Sequence, residues 1–204
     1  MFSIVYFGLG FAYLYGSNLI LHRIERDYAN YGVLRDFTAG LQLLIFAVHL
    51  LFVLLSFKSP DWPLSWPPLS PAYWAWIVGF ILMISGGFIL SSACKTFGTI
   101  DRILGRQVTV LKKEGPYRWS RNPQVVGYGM ILLGITFVWF TDYTLIAVIL
   151  YAPVAHRLVL IEEAHLGRIF KEKYSQYQEE TVRYFGRKPL MTKVREEKYS
   201  LGNP

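Results

Sequence analysis

Residues 115–127 read Gly115-Pro116-Tyr117-Arg118-Trp119-Ser120-Arg121-Asn122-Pro123-Gln124-Val125-Val126-Gly127, a polar and cationic stretch between two long apolar runs. Asn122 is a favourable N-cap residue, and Pro123 suits the first position of a helix because its missing N–H would be unpaired there anyway. Arg118 and Arg121 would then lie beside the positive end of the helix dipole. This arrangement predicts that an anion, or the carboxylate of a ligand, lies close to the helix start.

The composition indicates an integral membrane protein. Hydrophobic residues make up 53% of the 204 residues, and the net charge is +7. A basic chain often binds nucleic acid, but here the apolar runs favour a membrane and no nucleic-acid partner. Five runs approach the length needed to cross about 30 Å of hydrocarbon; they cover residues 2–21, 36–57, 72–94, 124–140 and 143–161. We therefore predict an all-α protein with about five transmembrane helices, the first of which is not a cleavable signal peptide because its positive charges follow the apolar run.

The distribution of positive charge predicts the orientation in the membrane. All but one of the 21 Lys and Arg residues fall on the side that holds the 22–35 loop, the 95–123 loop and the segment that begins at Arg157. The other side holds only Lys58. Because cytoplasmic loops are enriched in Lys and Arg, we expect the N-terminus outside, and the C-terminus and residues 115–127 in the cytoplasm.

We expect the chain to divide into an N-terminal three-span membrane region, residues 1–94, and a second part that carries the candidate site, residues 95–204. The second part begins with a basic connector, residues 95–114, which either contacts anionic lipid or folds over a ligand as a lid; the two roles are compatible. A helical hairpin over 124–161 follows, and its tight turn at Thr141-Asp142 returns residue 162 to the membrane face where residue 123 lies. Apolar residues at helical spacing then predict a cytoplasmic amphipathic helix; they are Leu166, Ile169, Phe170, Tyr174 and Tyr177.

Three side chains within the apolar runs have structural interpretations. Cys94 is the single cysteine, which excludes an intramolecular disulfide and a cysteine-based zinc cluster. His49 has no metal-ligand companion and is expected to be a packed, hydrogen-bonded histidine. Asp36 is expected to cap the start of its helix, and no metal site is predicted.

The stretch 115–127 resembles the signature of the isoprenylcysteine carboxyl methyltransferase superfamily of integral-membrane enzymes. The matching residues are Gly115, Pro116, Tyr117, Arg118, Arg121, Pro123 and Gly127. Asn122 stands where the family often has His, and Val125 where it often has Tyr. The resemblance resumes at Glu162-Glu163 and continues to Val182-Arg183, so that it covers roughly residues 90–185.

The resemblance implies a site for S-adenosylmethionine. Its cofactor-binding residues would be the seven matching residues together with Asn122, Glu162 and Glu163. Arg118, Arg121 and the backbone amides after Pro123 suit the cofactor carboxylate, and Glu162 or Glu163 suits its ammonium group or ribose hydroxyls. Tyr117 or Trp119 can face the sulfonium as a cation–π partner, and Asn122 can reach the adenine edge or the ribose.

The resemblance also implies a lipophilic, membrane-embedded methyl acceptor, such as a prenylcysteine carboxylate. A carboxylate acceptor needs no general base, so the task of the enzyme is mainly proximity and alignment. We predict catalytic roles for Glu163 and for Arg157, which would hold an anionic acceptor unless it pairs with a Glu or a lipid phosphate. A phospholipid amine and a small thiol stay open as acceptors, and the oligomeric state is unknown.

Two other functions compete with methyl transfer. A membrane sterol- or isoprenoid-type reductase that uses NADPH has a related Arg-His-Asn/Pro stretch, although such proteins usually have more spans and a longer chain. A membrane scaffold that kept the fold without the activity is the non-enzymatic alternative. For single residues, an Arg-rich loop can be a lipid anchor, and a Glu-Glu pair can be a solvated helix end.

Overall fold

The computed structural model describes residues 2–58 and 73–185, and within these ranges the chain is helical without strands. The Trp- and Pro-rich outer loop and the charged segment after residue 188 lie outside the described residues. Seven α-helices and one 3₁₀ helix form the described part. They are α1 (Phe2–Tyr31), α2 (Asp36–Ser56), α3 (Tyr73–Phe97), α4 (Ile100–Ile103), the 3₁₀ helix Gly115–Arg118, α5 (Pro123–Val138), α6 (Asp142–Phe170) and α7 (Glu172–Glu180).

The helix lengths confirm the all-α membrane class. In the described ranges, α1, α2, α3 and α6 are long and apolar enough to cross a membrane. The fifth predicted span, 124–140, is the apolar helix α5, which has 16 residues. At 1.5 Å per residue it is about 24 Å long, which is less than the roughly 30 Å of a typical hydrocarbon core. The bundle thus contains four full-length helices and one short apolar helix.

Helix α1 continues well beyond the predicted end of the first span. We expected a loop over 22–35, but α1 reaches Tyr31. The reason is a stripe of buried side chains at helical spacing, formed by Leu21, Ile24 and Tyr28. Charged residues lie between these buried residues in the sequence, so the end of α1 does not form an uninterrupted apolar run.

Small residues allow α3 and α5 to approach closely. A Cβ atom built on Gly86 would lie 2.6 Å from the carbonyl oxygen of Gly127, and one built on Gly79 would lie 2.8 Å from that of Gly134. Side chains larger than hydrogen would therefore force the two helices apart. Small residues commonly allow such close packing of helices within lipid, and these four glycines have that role here.

The α5–α6 connection is the predicted tight turn. Thr141 caps α6, and its hydroxyl and backbone exchange hydrogen bonds with Thr144 in a capping box. Below this turn, His49 joins three helices: its Nδ1 lies 3.0 Å from the Tyr128 hydroxyl, and its Nε2 lies 3.0 Å from the Ala147 carbonyl oxygen. The interpretation of His49 as a packed, hydrogen-bonded residue is confirmed.

Helix α6 runs to Phe170, nine residues past the predicted end of the last span. The chain then breaks at Lys171, whose φ of 46° lies in the left-handed region that disfavours residues other than glycine. The predicted amphipathic helix is therefore divided. Its first part is the end of α6, and its second part is α7, which buries Tyr174 and Tyr177.

Candidate functional site

The loop between the connector and α5 has the predicted position but an unpredicted hydrogen-bonding pattern. Pro123 is the first residue of α5 and Asn122 is its N-cap, yet the Asn122 side chain does not cap the helix. Its Nδ2 instead donates to Oε1 of Glu163 at 3.3 Å and to the Arg183 carbonyl oxygen at 3.2 Å. The prediction that the Asn122 side chain caps α5 is wrong. The Glu163 carboxylate and the Arg183 carbonyl oxygen bind its amide group and hold it away from the backbone N–H groups of the helix.

Glu163 is the centre of a cluster that we call the Glu163 hub, formed by Arg121, Asn122, Glu163 and Arg183. Its Oε1 accepts from Nε and Nη2 of Arg121 at 3.1 and 3.0 Å. Its Oε2 accepts from Nε of Arg183 at 3.0 Å and lies 2.8 Å from Nη2 of the same residue. The carboxylate therefore binds two guanidinium groups and one amide group.

The sequence predicts an anion near the start of α5, and a carboxylate of the chain itself occupies that position. That anion is Glu163, because its carboxylate neutralises Arg121, and both side chains are about 93% buried. The remaining guanidinium nitrogen of Arg121, Nη1, donates to the carbonyl oxygens of Thr181 at 2.7 Å and Gln178 at 3.3 Å. Most of the hydrogen-bonding groups of Arg121 and Glu163 are thus used in contacts with each other, with the other hub residues and with the backbone.

A cavity of about 920 Å³, counted with its open mouth, lies next to the hub. Its walls come from the end of α1, the end of α3, the connector, the 3₁₀ helix, α6 and α7. Aromatic side chains contribute much of the surface; they are Tyr28, Phe97, Tyr117, Tyr174 and Tyr177. Aromatic walls with a few polar groups among them are typical of small-molecule and cofactor sites.

Buried polar atoms without partners concentrate in this cavity. In the described residues, four buried side-chain nitrogen or oxygen atoms lack a hydrogen-bond partner. Three of them belong to residues that line the cavity: the Tyr117 hydroxyl, Nε of Arg102 and Nε2 of His165. An unpaired buried polar group is costly, so these three groups around one cavity are available to a polar ligand or to water.

Of the two adjacent glutamates, Glu162 is the one whose carboxylate is available for contact with a ligand. It lines the cavity and is half-buried, and within residues 2–58 and 73–185 no hydrogen bond or ion pair holds its carboxylate. Burial is the main reason why the pKa of Tyr117 lies well above its usual value, and the nearby charge of Glu162 raises it further. Tyr117 consequently stays protonated and can donate a hydrogen bond into the cavity.

The connector covers one side of the cavity and is held at two places. Leu34 donates its backbone N–H to the Gly105 carbonyl oxygen at 3.0 Å, and Arg106 lies 2.6 Å from the Asp36 carboxylate. Farther along, Lys113 lies 3.8 Å from the Glu180 carboxylate of α7. Asp36 is the first residue of α2 and not its cap, so its expected capping role is replaced by the contact with Arg106.

The predicted site residues separate into two groups. Tyr117, Arg121, Asn122, Glu162 and Glu163 line the cavity. Gly115, Pro116, Arg118, Pro123, Gly127 and Arg157 do not. Gly127 packs against α3, Arg118 is exposed, and Arg157 contacts a ring nitrogen of His22 at 3.0 Å.

The sequence reasoning missed several side chains that line the cavity: Tyr28, Arg102, Lys112, Gln124 and His165. For His165 a signal existed, since it is a polar residue that follows Glu163 by two positions. For Tyr28 and Arg102 the signal was weak, because the long α1 and the folded connector were not predicted. Among the described residues, no group of three His, Cys, Asp or Glu side chains could hold a metal ion.

The fold and the cavity together define an integral-membrane helical protein with a cavity lined by polar and aromatic side chains at one end of its bundle. The phospholipid methyltransferase family model matches residues 74–173, which include α3 except for Tyr73, the connector, α5, all of α6 and both glutamates. The chain is thus similar to this family over residues 74–173, in agreement with the resemblance of its signature to the integral-membrane methyltransferase superfamily, and the match supports a membrane methyltransferase that acts on lipid-type substrates. Comparisons with curated proteins and with solved structures gave no match.

Proposed function

We propose that the protein transfers a methyl group from S-adenosylmethionine to a lipophilic acceptor that is embedded in the membrane. The observation that carries this proposal is the set of unpaired polar atoms, of Tyr117, Arg102 and His165, around a single cavity within the methyltransferase region. The charge split of the sequence supports a position of this cavity at the cytoplasmic face, where the cofactor is made.

The chemistry of the cavity residues fits a zwitterionic cofactor. Glu162 suits the ammonium group, because its carboxylate has no protein partner among the described residues. Arg102 and Lys112, both from the connector, suit the carboxylate. Oδ1 of Asn122 can accept from the adenine amine or a ribose hydroxyl, since its Nδ2 is used by the hub.

This assignment changes the roles expected for two residues. From the sequence, Arg121 and Glu163 were to bind the cofactor carboxylate and ammonium directly. Their mutual ion pair at 3.0 Å favours a supporting role for both. Glu162 and Arg102 are the freer charges of each sign, and we infer that they contact the ligand.

When bound, S-adenosylmethionine supplies an electrophilic methyl group for displacement at carbon. The residues of this chain then have to bind, orient and exclude water. The aromatic walls, Tyr28 and Tyr117 above all, offer surfaces for the cofactor rings and for a sulfonium cation. Connector residues line one side of the cavity, which supports the proposed function of the connector as a lid.

The acceptor is proposed to be lipophilic, and a prenylcysteine carboxylate and a phospholipid amine are its two main candidates. A carboxylate needs alignment alone, whereas a protonated amine has to lose a proton before it can act as a nucleophile. Arg157 remains our candidate for an anionic group of the acceptor. It lies outside the cavity wall, on α6 and next to His22 of α1.

Calorimetric titration of the purified protein in detergent tests the cofactor. We expect saturable binding of S-adenosylmethionine and of S-adenosylhomocysteine, and no binding of NADPH. The matched pair of variants is Glu162→Gln and Glu179→Gln, since Glu179 is an exposed carboxylate on α7. Weaker binding in the first and unchanged binding in the second would support the cavity; NADPH binding alone would favour the reductase.

A labelling experiment then identifies the acceptor. The protein is incubated with methyl-labelled cofactor and either a prenylcysteine analogue or phosphatidylethanolamine vesicles. A base-labile labelled ester indicates a carboxylate acceptor, and a base-stable labelled headgroup indicates an amine. Cofactor binding without transfer to either compound would contradict both candidate acceptors.

A further inference from the structure

The segment after α7 crosses the loop that precedes α5. We call residues 181–183 the C-terminal strap. The backbone N–H of Arg121 donates to the Val182 carbonyl oxygen at 2.9 Å, and the Ser120 hydroxyl donates to the Arg183 carbonyl oxygen at 3.3 Å. The strap thereby fixes the backbone of the loop whose side chains line the cavity.

Arg183 contacts the hub through both its backbone and its side chain. Its guanidinium group holds Oε2 of Glu163, while Oε1 of the same carboxylate accepts from Nδ2 of Asn122. The Arg183 carbonyl oxygen accepts from the same Nδ2 at 3.2 Å. Two acceptors placed by Arg183 therefore select the orientation of the Asn122 amide.

The amide orientation matters because Asn122 lines the cavity. An amide that turns its NH₂ group toward Glu163 leaves Oδ1 as its acceptor. The opposite orientation would place Oδ1 against a carboxylate and a carbonyl oxygen, and the repulsion between these acceptors excludes it. The hub therefore presents an acceptor to the ligand, and not a donor.

We propose that Arg183 is a positioning residue of the methyl-transfer site, which acts through Glu163 to orient the Asn122 amide toward the cofactor. The inference rests on the proposed function. It extends the functional site ten residues beyond the matched region, which ends at residue 173. It also gives the C-terminal strap a role in ligand recognition and not only in closing the fold.

Exposure separates this role from a purely structural one. The Arg183 side chain is 39% exposed, whereas that of Glu163 is 6% exposed. Ion pairs of a partly exposed side chain contribute little to folding because water screens them. Replacing Arg183 should therefore change ligand affinity more clearly than it changes the unfolding temperature.

The first experiment is calorimetric titration with S-adenosylhomocysteine in detergent. We expect Arg183→Gln to weaken binding about tenfold, the change that loss of one charge-assisted contact typically produces. Arg183→Lys should recover part of this loss, because it keeps the charge without the two-pronged geometry. The control is Lys173→Gln, which removes an exposed cation of α7 that makes no ion pair in the described part of the chain.

The second experiment is a double-mutant cycle on the same affinity. If Arg183 acts by orienting Asn122, Arg183→Gln should change affinity less than twofold in an Asn122→Ala background. Thermal unfolding of every variant checks that the protein titrated is folded. A structural role alone would lower the unfolding temperature and leave the affinity of the folded protein unchanged.

Each result supports or overturns a defined statement. Wild-type affinity in Arg183→Gln would overturn the positioning role while leaving the proposed function intact. Additive losses in the cycle would overturn the route through Asn122. Absence of binding by the unmodified protein would overturn the proposed function and, with it, the positioning role of Arg183.

Discussion

Replacing each of the two adjacent glutamates with glutamine should give different phenotypes. Glu163→Gln removes the charge that compensates Arg121, whose side chain is only 7% exposed. Removing one partner of a buried ion pair typically costs 3–5 kcal/mol. Arg183 can turn toward water, and a glutamine oxygen can still accept a hydrogen bond, so we expect a loss of about 3 kcal/mol in the free energy of unfolding.

Glu162→Gln should leave stability unchanged or raise it slightly. Its carboxylate has no protein partner in the described ranges and lies next to the like charge of Glu163. Neutralising it relieves a repulsion and breaks no contact. Loss of a charged partner for the ligand typically costs about 1.5–3 kcal/mol, which is roughly a ten- to hundredfold loss of S-adenosylmethionine affinity.

Two measurements separate these outcomes. Titration with denaturant in detergent gives the free energy of unfolding of each variant, and calorimetry gives the cofactor affinity of the folded protein. The expectation from the sequence, that Glu163→Gln weakens binding while folding is intact, is replaced by a stability loss with an indirect effect on affinity. Equal stability of the two variants, or a normal affinity in Glu162→Gln, would refute the reasoning.

Three other predictions concern single residues and topology. Asn122→Ala should lower stability by about 1 kcal/mol through lost hydrogen bonds and weaken cofactor binding, whereas Asn122→His should restore binding; calorimetry and denaturant titration measure both, and unchanged binding in the Ala variant would remove Asn122 from the site. Gly86→Ala should cost roughly 1–3 kcal/mol through overpacking, since its Cβ would meet a backbone oxygen at 2.6 Å, while Gly87→Ala meets no atom within 4 Å and should be nearly neutral; equal unfolding midpoints would contradict the close packing of α3 and α5. A reporter fused after Pro204 should lie in the cytoplasm and one inserted near Trp66 outside, and protease protection that shows the opposite would overturn the orientation.

Pairing of the two motifs was predictable because it depends on one short turn. Residues 123 and 162 meet since Thr141 and Asp142 leave no room for anything except antiparallel helices. Helix-packing glycines and the buried His49 also follow from local pattern and burial. Element type and adjacency are therefore encoded in short segments, which a single sequence displays.

Contacts that depend on three separate segments were not predictable in the same way. The Glu163 hub joins the loop before α5, the end of α6 and the C-terminal strap, and no periodicity reports which arginine meets which carboxylate. The connector likewise acquires its position from contacts with α2 and α7, through Arg106 and Lys113. Its charges resemble a lipid-binding segment until these partners are known.

The different roles of Glu162 and Glu163 follow from helix geometry. Consecutive residues on an α-helix point about 100° apart, so a pair of adjacent carboxylates cannot both face Arg121 at the start of α5. Glu163 faces it and is neutralised by two guanidinium groups, and Glu162 is turned toward the Tyr117 hydroxyl. A paired carboxylate such as that of Glu163 can be buried, whereas Glu162 has no protein partner in the described residues, and burial and then the charge of Glu163 raise its pKa to about 7. The hub therefore stabilises the loop before α5, while the carboxylate of Glu162 stays available for a cationic group of a ligand.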